Sequence, residues 1–468
     1  MTEIELKREA RRKDMLESKI SRIIPVVALP MVITMLIDSF YNMADTFFVS
    51  QLGIAATAAV GINDSTMHFI RCIAMGFGMG AASYISRLLG AKRHDDASKV
   101  GTTTLITSFI FMIFLGAIAY LFIGPIVTFL GATPTIKPYC IQYARFILLA
   151  APFTAGEVVL NQLLRSEGST VYSMVGMCSG CIINLLLDPL FINVLDMGVA
   201  GAACATAISK VISFSILLIP FLRRKSIIEL KLRFFTPKAW IYKEVVRMGV
   251  PTTLRAGSML VSHILLNNVA NDYGDAALAA ISVASKCTRI VGSAILGFTM
   301  GFQPVAGYCW GARRYKRILE AFRFALLVGI AAILILGAAV FIFAPQLIAV
   351  FSSKGGDIVP LGVLALRTQC ASLACHMWVQ LMSSLYQSIG RAINSAVIGL
   401  SRQVICFIPC LYILAALFGA EGVACTQCAA DVLSLFISLP LFFRIRRELL
   451  GLAAKAGEEN ELLHERTV

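Results

Sequence analysis

Carboxylate and amide side chains occur inside two strongly apolar stretches of the sequence, where most helices of that composition carry none. In the first stretch, Asp38, Asn42 and Asp45 follow one another at spacings of four and three residues and share one face of a helix. In the second stretch, Asn184 and Asp188 are four residues apart and also share a face. Side-chain oxygens grouped in this way suit a small hard cation or a proton.

Proline and threonine residues add to the chemistry of these two stretches. Pro189 has no N–H, so it leaves the carbonyl of Leu185 without its helical donor. Thr206, at the end of the sequence GVAGAACAT, could add a hydroxyl oxygen. Pro25 and Pro30 can bend the helix that carries the first group of acids. An acid within a span is a functional candidate by default, although Asp38 could instead form a structural hydrogen bond or lie near the membrane interface.

The composition excludes an ordinary soluble domain. Of the 468 residues, 58% are hydrophobic and only 15% are charged, and the mean hydropathy is +0.79. The net charge of +14 comes from bases that lie between apolar stretches, so membrane topology explains it better than nucleic-acid binding. We find no P-loop, zinc motif or nucleophile constellation that would indicate an enzyme. The cysteines, including the CxxC pairs Cys178/Cys181 and Cys425/Cys428, lie in apolar runs and are interpreted as packing residues.

The apolar stretches predict an all-α polytopic membrane protein, because about 20 apolar residues are enough for one spanning helix. The twelve predicted spans are 22–49, 54–86, 99–123, 136–161, 171–194, 198–222, 245–271, 276–309, 319–343, 359–386, 392–418 and 420–443. They divide the chain into a cytoplasmic N-terminal segment (1–21), a first lobe (22–222), a cytoplasmic linker (223–244), a second lobe (245–443) and a cytoplasmic tail (444–468).

The loops differ sharply in positive charge from one side of the predicted membrane to the other. Both ends and every second loop together carry 31 Lys and Arg residues, whereas the opposite loops carry only Lys137 and Lys354. The positive-inside rule therefore predicts that both termini lie in the cytoplasm, and we expect the protein to be integral to the cell membrane.

The two halves of the sequence are related by an internal repeat. A shift of 221 residues aligns 30–93 with 251–314 without a gap and gives thirteen identities in 64 positions, including GFGMG on GFTMG. The same shift places GVAGAAC at 198–204 on GAEGVAC at 419–425. Each copy contains six helices, so the copies have the same orientation and are parallel repeats. Secondary transporters commonly use this architecture, whereas a channel would need a filter-like segment, which we do not find.

Five motifs together resemble the multidrug and toxic compound extrusion (MATE) family, over about 22–443. They are YNMADTFFVSQLG in the first span, RLLGAKR at the end of the second, LLRSEGS after the fourth, NLLLDPLFI in the fifth and GVAGAACAT in the sixth. The resemblance implies a V-shaped pair of six-helix lobes and alternating-access export of organic, multidrug-type substrates in exchange for H⁺ or Na⁺. It also implies a small-molecule partner within the bilayer and no cofactor, and we expect a monomer that binds no nucleic acid.

The spacing of the fifth-span and sixth-span motifs resembles the DinF-like branch of that family, in which the first lobe handles the cation. The resemblance implies that the coupling residues, which would be the metal ligands if the ion is Na⁺, are Asp45, Asn184, Asp188 and Thr206 with the backbone of Ala202. NorM-like members carry a glutamate in the seventh span, where this chain has no acid and instead has Arg255. Asp38 is an additional acid to which the resemblance assigns no role.

Buried charge is distributed unequally between the predicted lobes. The first lobe holds most of the acids at membrane depth, and the second holds most of the bases. We therefore predict that Lys286 and Arg289 contact an anionic or zwitterionic substrate. The alternative is that they pair with acids such as Asp64 or Asp431, or donate hydrogen bonds to carbonyl oxygens. The full set of candidate cleft residues is Asp38, Tyr41, Asn42, Arg255, Lys286 and Arg289. The remaining alternatives are a lipid-linked oligosaccharide flippase of the same superfamily and an exporter of anionic metabolites.

Overall fold

The computed structural model describes residues 3–50, 53–351 and 358–465, and these residues are almost entirely helical, with no β-strand among them. A helix outside the predicted spans, Glu3–Glu17, precedes the first span. The first repeat then contains the spans Ile20–Ser50, Ile54–Gly90, His94–Leu121, Lys137–Ser166, Thr170–Pro189 and Gly198–Leu222. A short helix, Ile123–Phe129, follows the third span. A π-helical turn, Leu190–Val194, extends the fifth.

The second repeat contains the same number of spans, but its tenth and eleventh are interrupted. Its seventh to ninth spans are Ala239–Asn271, Asp275–Gly311 and Tyr315–Ile342, followed by a short helix, Ala344–Phe351. The tenth span consists of Ile358–Ala371 and Leu373–Ser388. The eleventh begins with Ala392–Leu400, passes through a π-helical turn, Ser401–Ile405, and continues in Phe407–Glu465. That last helix contains a break at Gly419 (φ 60°, ψ −138°), where the twelfth span begins.

Nine helical segments within the described residues are long and apolar enough to cross a membrane. The other three spans are accounted for by particular features. The seventh span carries several charged residues, the tenth is broken at Ser372, and the eleventh and twelfth form one merged segment. The predicted twelve-span, all-α fold is therefore confirmed.

The backbone reproduces the sequence repeat. Ile54–Gly90 corresponds to Asp275–Gly311, and both ends are shifted by the 221 residues found in the sequence. Residues with left-handed backbone angles recur at the same shift. Lys92 (φ 62°) corresponds to Arg313 (φ 57°), and Gly198 (φ 55°) corresponds to Gly419 (φ 60°). Positive φ is uncommon for residues other than glycine, so its recurrence at Lys92 and Arg313 indicates that the two repeats share loop geometry as well as helices.

The chain divides into two compact units. The first unit comprises Met1–Lys13 and Ile33–Thr253, and the second comprises Asp14–Val32 and Leu254–Val468. Each has its own apolar core, which includes Met112, Ile147 and Ala203 in the first unit and Val291 and Met377 in the second. The units differ from the predicted lobes, because 14–32 group with the second unit and 239–253 with the first. The predicted lobe boundaries stay a prediction.

Glycines of the GFxMG motif allow close helix packing in both units. In the first unit, a Cβ added at Gly249 would lie 2.5 Å from the carbonyl oxygen of Gly76. Thr253 Oγ1 donates to the Cys72 carbonyl oxygen at 3.2 Å in the same contact. In the second unit, a Cβ added at Gly297 would lie 2.7 Å from the Cα of Val32. Any larger residue would have to push two backbones apart, so the motif is explained by packing.

Candidate functional site

A buried polar cluster in the first unit joins the fifth and sixth spans. Asp188, Asn184 and Thr206 are only 0%, 1% and 2% exposed. When the amide nitrogen of Asn184 is oriented towards the acid, it donates to Asp188 Oδ2 at 3.1 Å. The amide oxygen of Asn184 then accepts from Thr206 N at 3.1 Å. Thr206 Oγ1 donates to the carbonyl oxygen of Ala202 at 3.0 Å. The structure thus brings together four residues that the sequence analysis had grouped.

The local backbone explains how the sixth span reaches this cluster. The chain leaves the fifth span at Pro189 and forms the π-helical turn Leu190–Val194. The sixth span then packs against that turn, because a Cβ at Gly201 would lie 2.7 Å from the carbonyl oxygen of Phe191. π-helical turns often occur at functional sites because they re-aim backbone carbonyls and side chains. Here the turn and the glycine bring Thr206 within reach of Asn184.

The first span also reaches the cluster. In the same amide orientation, Asn184 donates to Tyr41 Oη at 3.0 Å. Tyr41 had been predicted as a residue of the substrate cleft, and the structure places it against the predicted cation residues. The backbone of Asn42 and Asp45 lies in the same helix, but both side chains are outside the described residues. Their predicted roles therefore stay predictions.

Asp38 lies on the same span and forms an ion pair. Its Oδ1 is 3.7 Å from Arg71 Nη2 of the second span, and the two side chains are 24% and 38% exposed. This pairing agrees with the structural alternative considered for Asp38.

Another charge pair in the first unit, more deeply buried, was not assigned to any site by the sequence. Lys210 Nζ of the sixth span lies 3.1 Å from Glu157 Oε2 of the fourth. Ser213 Oγ donates to Glu157 Oε1 at 2.9 Å, and Glu157 is only 2% exposed. Both charges stand out in the sequence as ionisable residues within apolar spans. Their pairing could not be read from the sequence, because they belong to different helices.

In the second unit, the corresponding sixth-helix position carries the opposite charge. Asp431 aligns with Lys210 at the 221-residue shift and is 2% exposed. Its Oδ1 lies 2.6 Å from Arg402 Nε. Ser372 Oγ donates to Oδ2 at 3.0 Å, and Gln427 Nε2 donates to Oδ1 at 3.1 Å. This carboxylate is neutralised by a fixed arginine and held by two further donors.

The predicted cleft bases of the second unit are arranged differently from one another. Arg255 Nη1 donates to Gln380 Oε1 at 3.3 Å, and its side chain packs on Gly399. Lys286 and Arg289 are exposed, and neither forms an ion pair among the described residues. Asp431, offered as a partner for them in the alternative interpretation, pairs with Arg402 instead.

Metal-ligand clusters of the usual kind do not appear in the described part of the chain, where no group of three or more His, Cys, Asp or Glu side chains could hold a metal ion. The oxygen donors near Asp188 are instead a carboxylate, an amide, hydroxyls and a backbone carbonyl, which is a donor set that suits Na⁺ or a proton-bearing carboxyl group. All thirteen cysteines are free, and none forms a disulfide.

Two parallel six-helix repeats with a buried carboxylate cluster in one of them define the class, a two-repeat polytopic membrane protein of the kind used by secondary transporters. The sequence profile of the MatE family matches residues 30–190 and 251–413, which is more than half of the chain. The chain therefore belongs to the MatE family, as its motifs had predicted.

Curated relatives extend over nearly the same length. The multidrug export protein MepA of Staphylococcus saprophyticus is 26% identical over 425 residues, covering 90% of this chain and 93% of the relative. MepA of Staphylococcus aureus strain NCTC 8325 is also 26% identical, over 426 residues, with the same coverage.

Solved structures agree with this relationship. A MATE protein crystallised in complex with MaL6 has a TM-score of 0.89 and 28% identity, covering 94% of this chain and 98% of that one. A multidrug resistance MATE transporter of the MOP superfamily in an outward-facing conformation has a TM-score of 0.88 with the same identity and coverage. A MOP superfamily transporter from Pyrococcus furiosus, described as having a binding pocket of reverse polarity, has a TM-score of 0.85 and 28% identity over 94% of this chain and 98% of its own.

Proposed function

We propose that this protein is a secondary active antiporter that exports organic, multidrug-type substrates in exchange for H⁺ or Na⁺, with coupling in the first lobe. Its relatives named as multidrug exporters support the export of organic compounds. The observation that carries the coupling is the fully buried carboxylate of Asp188 beside Asn184, Thr206 and Tyr41.

A buried carboxylate at membrane depth favours neutralisation. Transfer of an ionised group into a low-dielectric interior is costly unless a proton, a cation or a fixed positive charge compensates it. Asp188 is 0% exposed, and the Asn184 amide is one of its hydrogen-bond donors. A proton or Na⁺ arriving from one side of the membrane would therefore lower the free energy of this site.

The contact between Tyr41 and Asn184 offers a route from ion binding to helix movement. Tyr41 belongs to the first span, which contains Pro25 and Pro30. When an ion binds, the oxygens around Asp188 reorient, which alters the hydrogen bond to Tyr41 and the packing of the first span. In the proposed cycle this change releases substrate outward and permits the return to an inward-facing state. Asp45, on the same span, takes part in the ion site.

Efflux from proteoliposomes with imposed Na⁺ or pH gradients tests the proposal. We expect Asp188→Asn to abolish the response of efflux to either gradient, because the variant keeps the side-chain shape and loses the titratable group. Asp196→Asn is the matched control, because Asp196 is exposed in the loop eight residues away and its left-handed backbone suits asparagine. Gradient-driven efflux at the wild-type rate in Asp188→Asn would refute coupling at this site.

A second candidate function is the export of organic anions. It is favoured by the exposed Lys286 and Arg289 and by Arg255, whose described hydrogen bond goes to a neutral glutamine. A lipid-linked oligosaccharide flippase would also use such bases, since its substrate carries phosphate.

Paired substrates distinguish these candidates. If Lys286 and Arg289 bind an anion, the double substitution Lys286→Ala/Arg289→Ala should lower anion export by about tenfold or more, because hydrogen bonds to charged groups contribute about 1.5–3 kcal/mol. Export of a cationic dye should be unchanged in the same vesicles. Equal loss of both substrates, or of neither, would count against anion recognition by these bases.

The proposal includes the orientation and assembly predicted from the sequence. Both termini lie in the cytoplasm of the cell, because the loops rich in Lys and Arg are retained on that side. The transporting species is a monomer. Labelling of a terminal tag in intact cells, and the mass of the purified particle in detergent, test these two statements separately.

A further inference from the structure

The linker between the repeats, which the sequence places outside the membrane, is held to the third and fourth spans by a network of hydrogen bonds. Glu167, at the end of the fourth span, is completely buried, and its Oε2 accepts from Ser226 Oγ at 2.7 Å, Ile227 N at 2.9 Å and Ile228 N at 3.3 Å. Glu229 N donates to Ser98 Oγ of the third span at 3.0 Å. These hydrogen bonds hold 226–229 of the linker in one conformation.

The N-terminal helix Glu3–Glu17 packs against this part of the linker. Arg8 Nε donates to the Ile227 carbonyl oxygen at 3.2 Å, and Arg8 Nη2 pairs with Glu229 Oε1 at 3.4 Å. Arg12 Nε donates to the Gly90 carbonyl oxygen at 3.1 Å, which attaches the same helix to the end of the second span. The helix, the linker and the end of the sixth span enclose a cavity of about 470 Å³, named here the basic pocket.

The basic pocket has a strong excess of positive charge. Two acids, Glu5 and Glu229, lie among its lining residues, and six bases accompany them: Lys7, Arg8, Arg223, Arg224, Lys231 and Arg233. Glu229 is already engaged by Arg8, by Lys231 at 2.5 Å and by Arg233 at 3.5 Å. Arg223 and Arg224 form no ion pair with any described carboxylate. The pocket therefore offers two guanidinium groups to an external anion.

Backbone geometry fixes these two arginines at the end of the sixth span. The helix ends at Leu222, and Arg224 adopts a left-handed conformation with φ 53°. Lys225 N donates a hydrogen bond to the Pro220 carbonyl oxygen at 2.8 Å, and this bond closes the turn. The arginines thus stand directly after a spanning helix, at the depth of lipid headgroups.

Three exposed leucines are next to lining residues of the basic pocket in the sequence. Leu222 is 69% exposed, Leu232 of the linker is 83% exposed, and Leu6 of the N-terminal helix is 56% exposed. A soluble phosphate compound would gain nothing from these leucines, whereas the acyl chains of a lipid would cover them. A basic pocket at a span end, with exposed leucines next to its lining residues in the sequence, suits an amphipathic anion.

We propose that the basic pocket binds the phosphate headgroup of an anionic phospholipid. The lipid phosphate accepts hydrogen bonds from Arg223 and Arg224, and its acyl chains rest against Leu222 and Leu232. Arginine is suited to this role because its planar guanidinium can contact two phosphate oxygens at once. The bound lipid fastens the N-terminal helix and the linker to the membrane surface.

Lipid titrations of the purified full-length protein, followed by native mass spectrometry, test the proposal. Phosphatidylglycerol should bind at least tenfold more tightly than phosphatidylcholine. The substitution Arg223→Gln/Arg224→Asn should weaken phosphatidylglycerol binding by about thirtyfold, since each base near the surface contributes a factor of about five. Asparagine is chosen at position 224 because it tolerates the left-handed conformation. Arg223→Lys/Arg224→Lys should retain most of the binding.

The matched control is Arg446→Gln/Arg447→Gln, which removes two exposed bases beyond the repeat-related twelfth span that do not line the basic pocket. It should leave lipid binding unchanged. Equal loss in this control would show diffuse surface attraction and overturn the proposal. Displacement of the lipid by equimolar inorganic phosphate would identify a soluble ligand and overturn it as well. Leu232→Ser offers a second readout in a residue too exposed to affect folding, and unchanged lipid binding in that variant would exclude the acyl contact.

Discussion

The two units each bury a carboxylate within a span, but the described partners of the two carboxylates differ. Asp431 in the second unit is held by Arg402 at 2.6 Å and by two neutral donors. Asp188 in the first unit accepts from the neutral amide of Asn184, close to Thr206 and Tyr41. Arginine does not release its proton at physiological pH, so the charge of Asp431 is balanced permanently. The two acids are not equivalent positions of the repeat, since Asp431 aligns with Lys210. The comparison suggests that the second unit uses its carboxylate for structure and that the first uses its own for the proposed exchange with the solution.

Removal of the two acids gives the largest expected difference. Asp431→Asn leaves Arg402 largely buried without its counter-charge, so we expect a loss of about 3–5 kcal/mol in the free energy of unfolding. Asp188→Asn should change that free energy by less than about 1 kcal/mol, since the hydrogen-bonding shape is kept. Thermal unfolding of both variants in detergent measures the contrast. Similar stabilities for the two variants would remove the distinction.

A double substitution sharpens the same comparison. Arg402→Met/Asp431→Leu replaces the ion pair by apolar side chains of similar size and should recover most of the lost stability, because the desolvation cost of both charges disappears. If the double variant is as unstable as Asp431→Asn, the loss of stability does not come from an unbalanced charge on Arg402, and the prediction is wrong.

Disruption of the Lys210–Glu157 pair in the first unit should lower the free energy of unfolding by a smaller amount. Lys210→Met leaves Glu157 with Ser213 as its described donor, and we expect a loss of about 2–3 kcal/mol. The cost is lower than for Asp431→Asn because the remaining Glu157 carboxylate keeps a hydrogen-bond donor at 2.9 Å, whereas Arg402 would lose its counter-charge. Substrate efflux by this variant separates a structural role from a part in transport, since a structural role predicts normal rates at low temperature.

The linker provides a comparison with carboxylates outside the membrane. Burial raises the pKa of Glu167, although hydrogen bonds from Ser169 and Ser226 oppose this. Glu167→Ala removes the acceptor for three donors and should destabilise the linker by about 1–3 kcal/mol. Hydrogen exchange at the amides of 226–229 should become faster in this variant. Unchanged exchange there would show that other contacts hold the linker.

The contacts of Glu229 should make the smallest contribution to the free energy of unfolding, and this contribution should depend on pH. The hydrogen bond from Lys231, with the charges of Arg8 and Arg233, holds the pKa of Glu229 below its usual value. A lowered pKa stabilises the folded state above the usual value of the unfolded chain, and this contribution is lost as the pH falls through the lowered value. The contacts of Glu229 should therefore be constant near neutral pH and weaken in acid, by less than about 1 kcal/mol. Hydrogen exchange in Glu229→Gln should lack this acid response.

Much of the fold could be predicted from the sequence because the length of an apolar segment is set by the thickness of the bilayer. The sixth span was predicted as 198–222 and is observed as Gly198–Leu222. The break at Ser372 and the two π-helical turns were not predicted, since hydropathy carries no information on local winding. The helix Glu3–Glu17 lies in the N-terminal segment 1–21, for which the sequence predicted a location outside the spans but no secondary structure.

The candidate site could be predicted only in part. Asn184 and Asp188 share a helix face by spacing alone, so their proximity followed from helix geometry. Contacts between helices, such as Tyr41 with Asn184 or Arg402 with Asp431, depend on how each helix is rotated about its axis. Single-sequence reasoning has no access to that rotation, which is why Asp431 was considered as a partner of the wrong bases.

The close packing at the GFxMG glycines has a consequence for the integrity of the chain. The first unit includes 239–253 from the second repeat, and the second unit includes 14–32 from the first. Each unit is therefore completed by a segment borrowed from the other repeat, as in a domain swap within one molecule. A protein cut within the linker would yield two fragments that need each other to fold, so the transporter could be reassembled from co-expressed halves but not from either half alone.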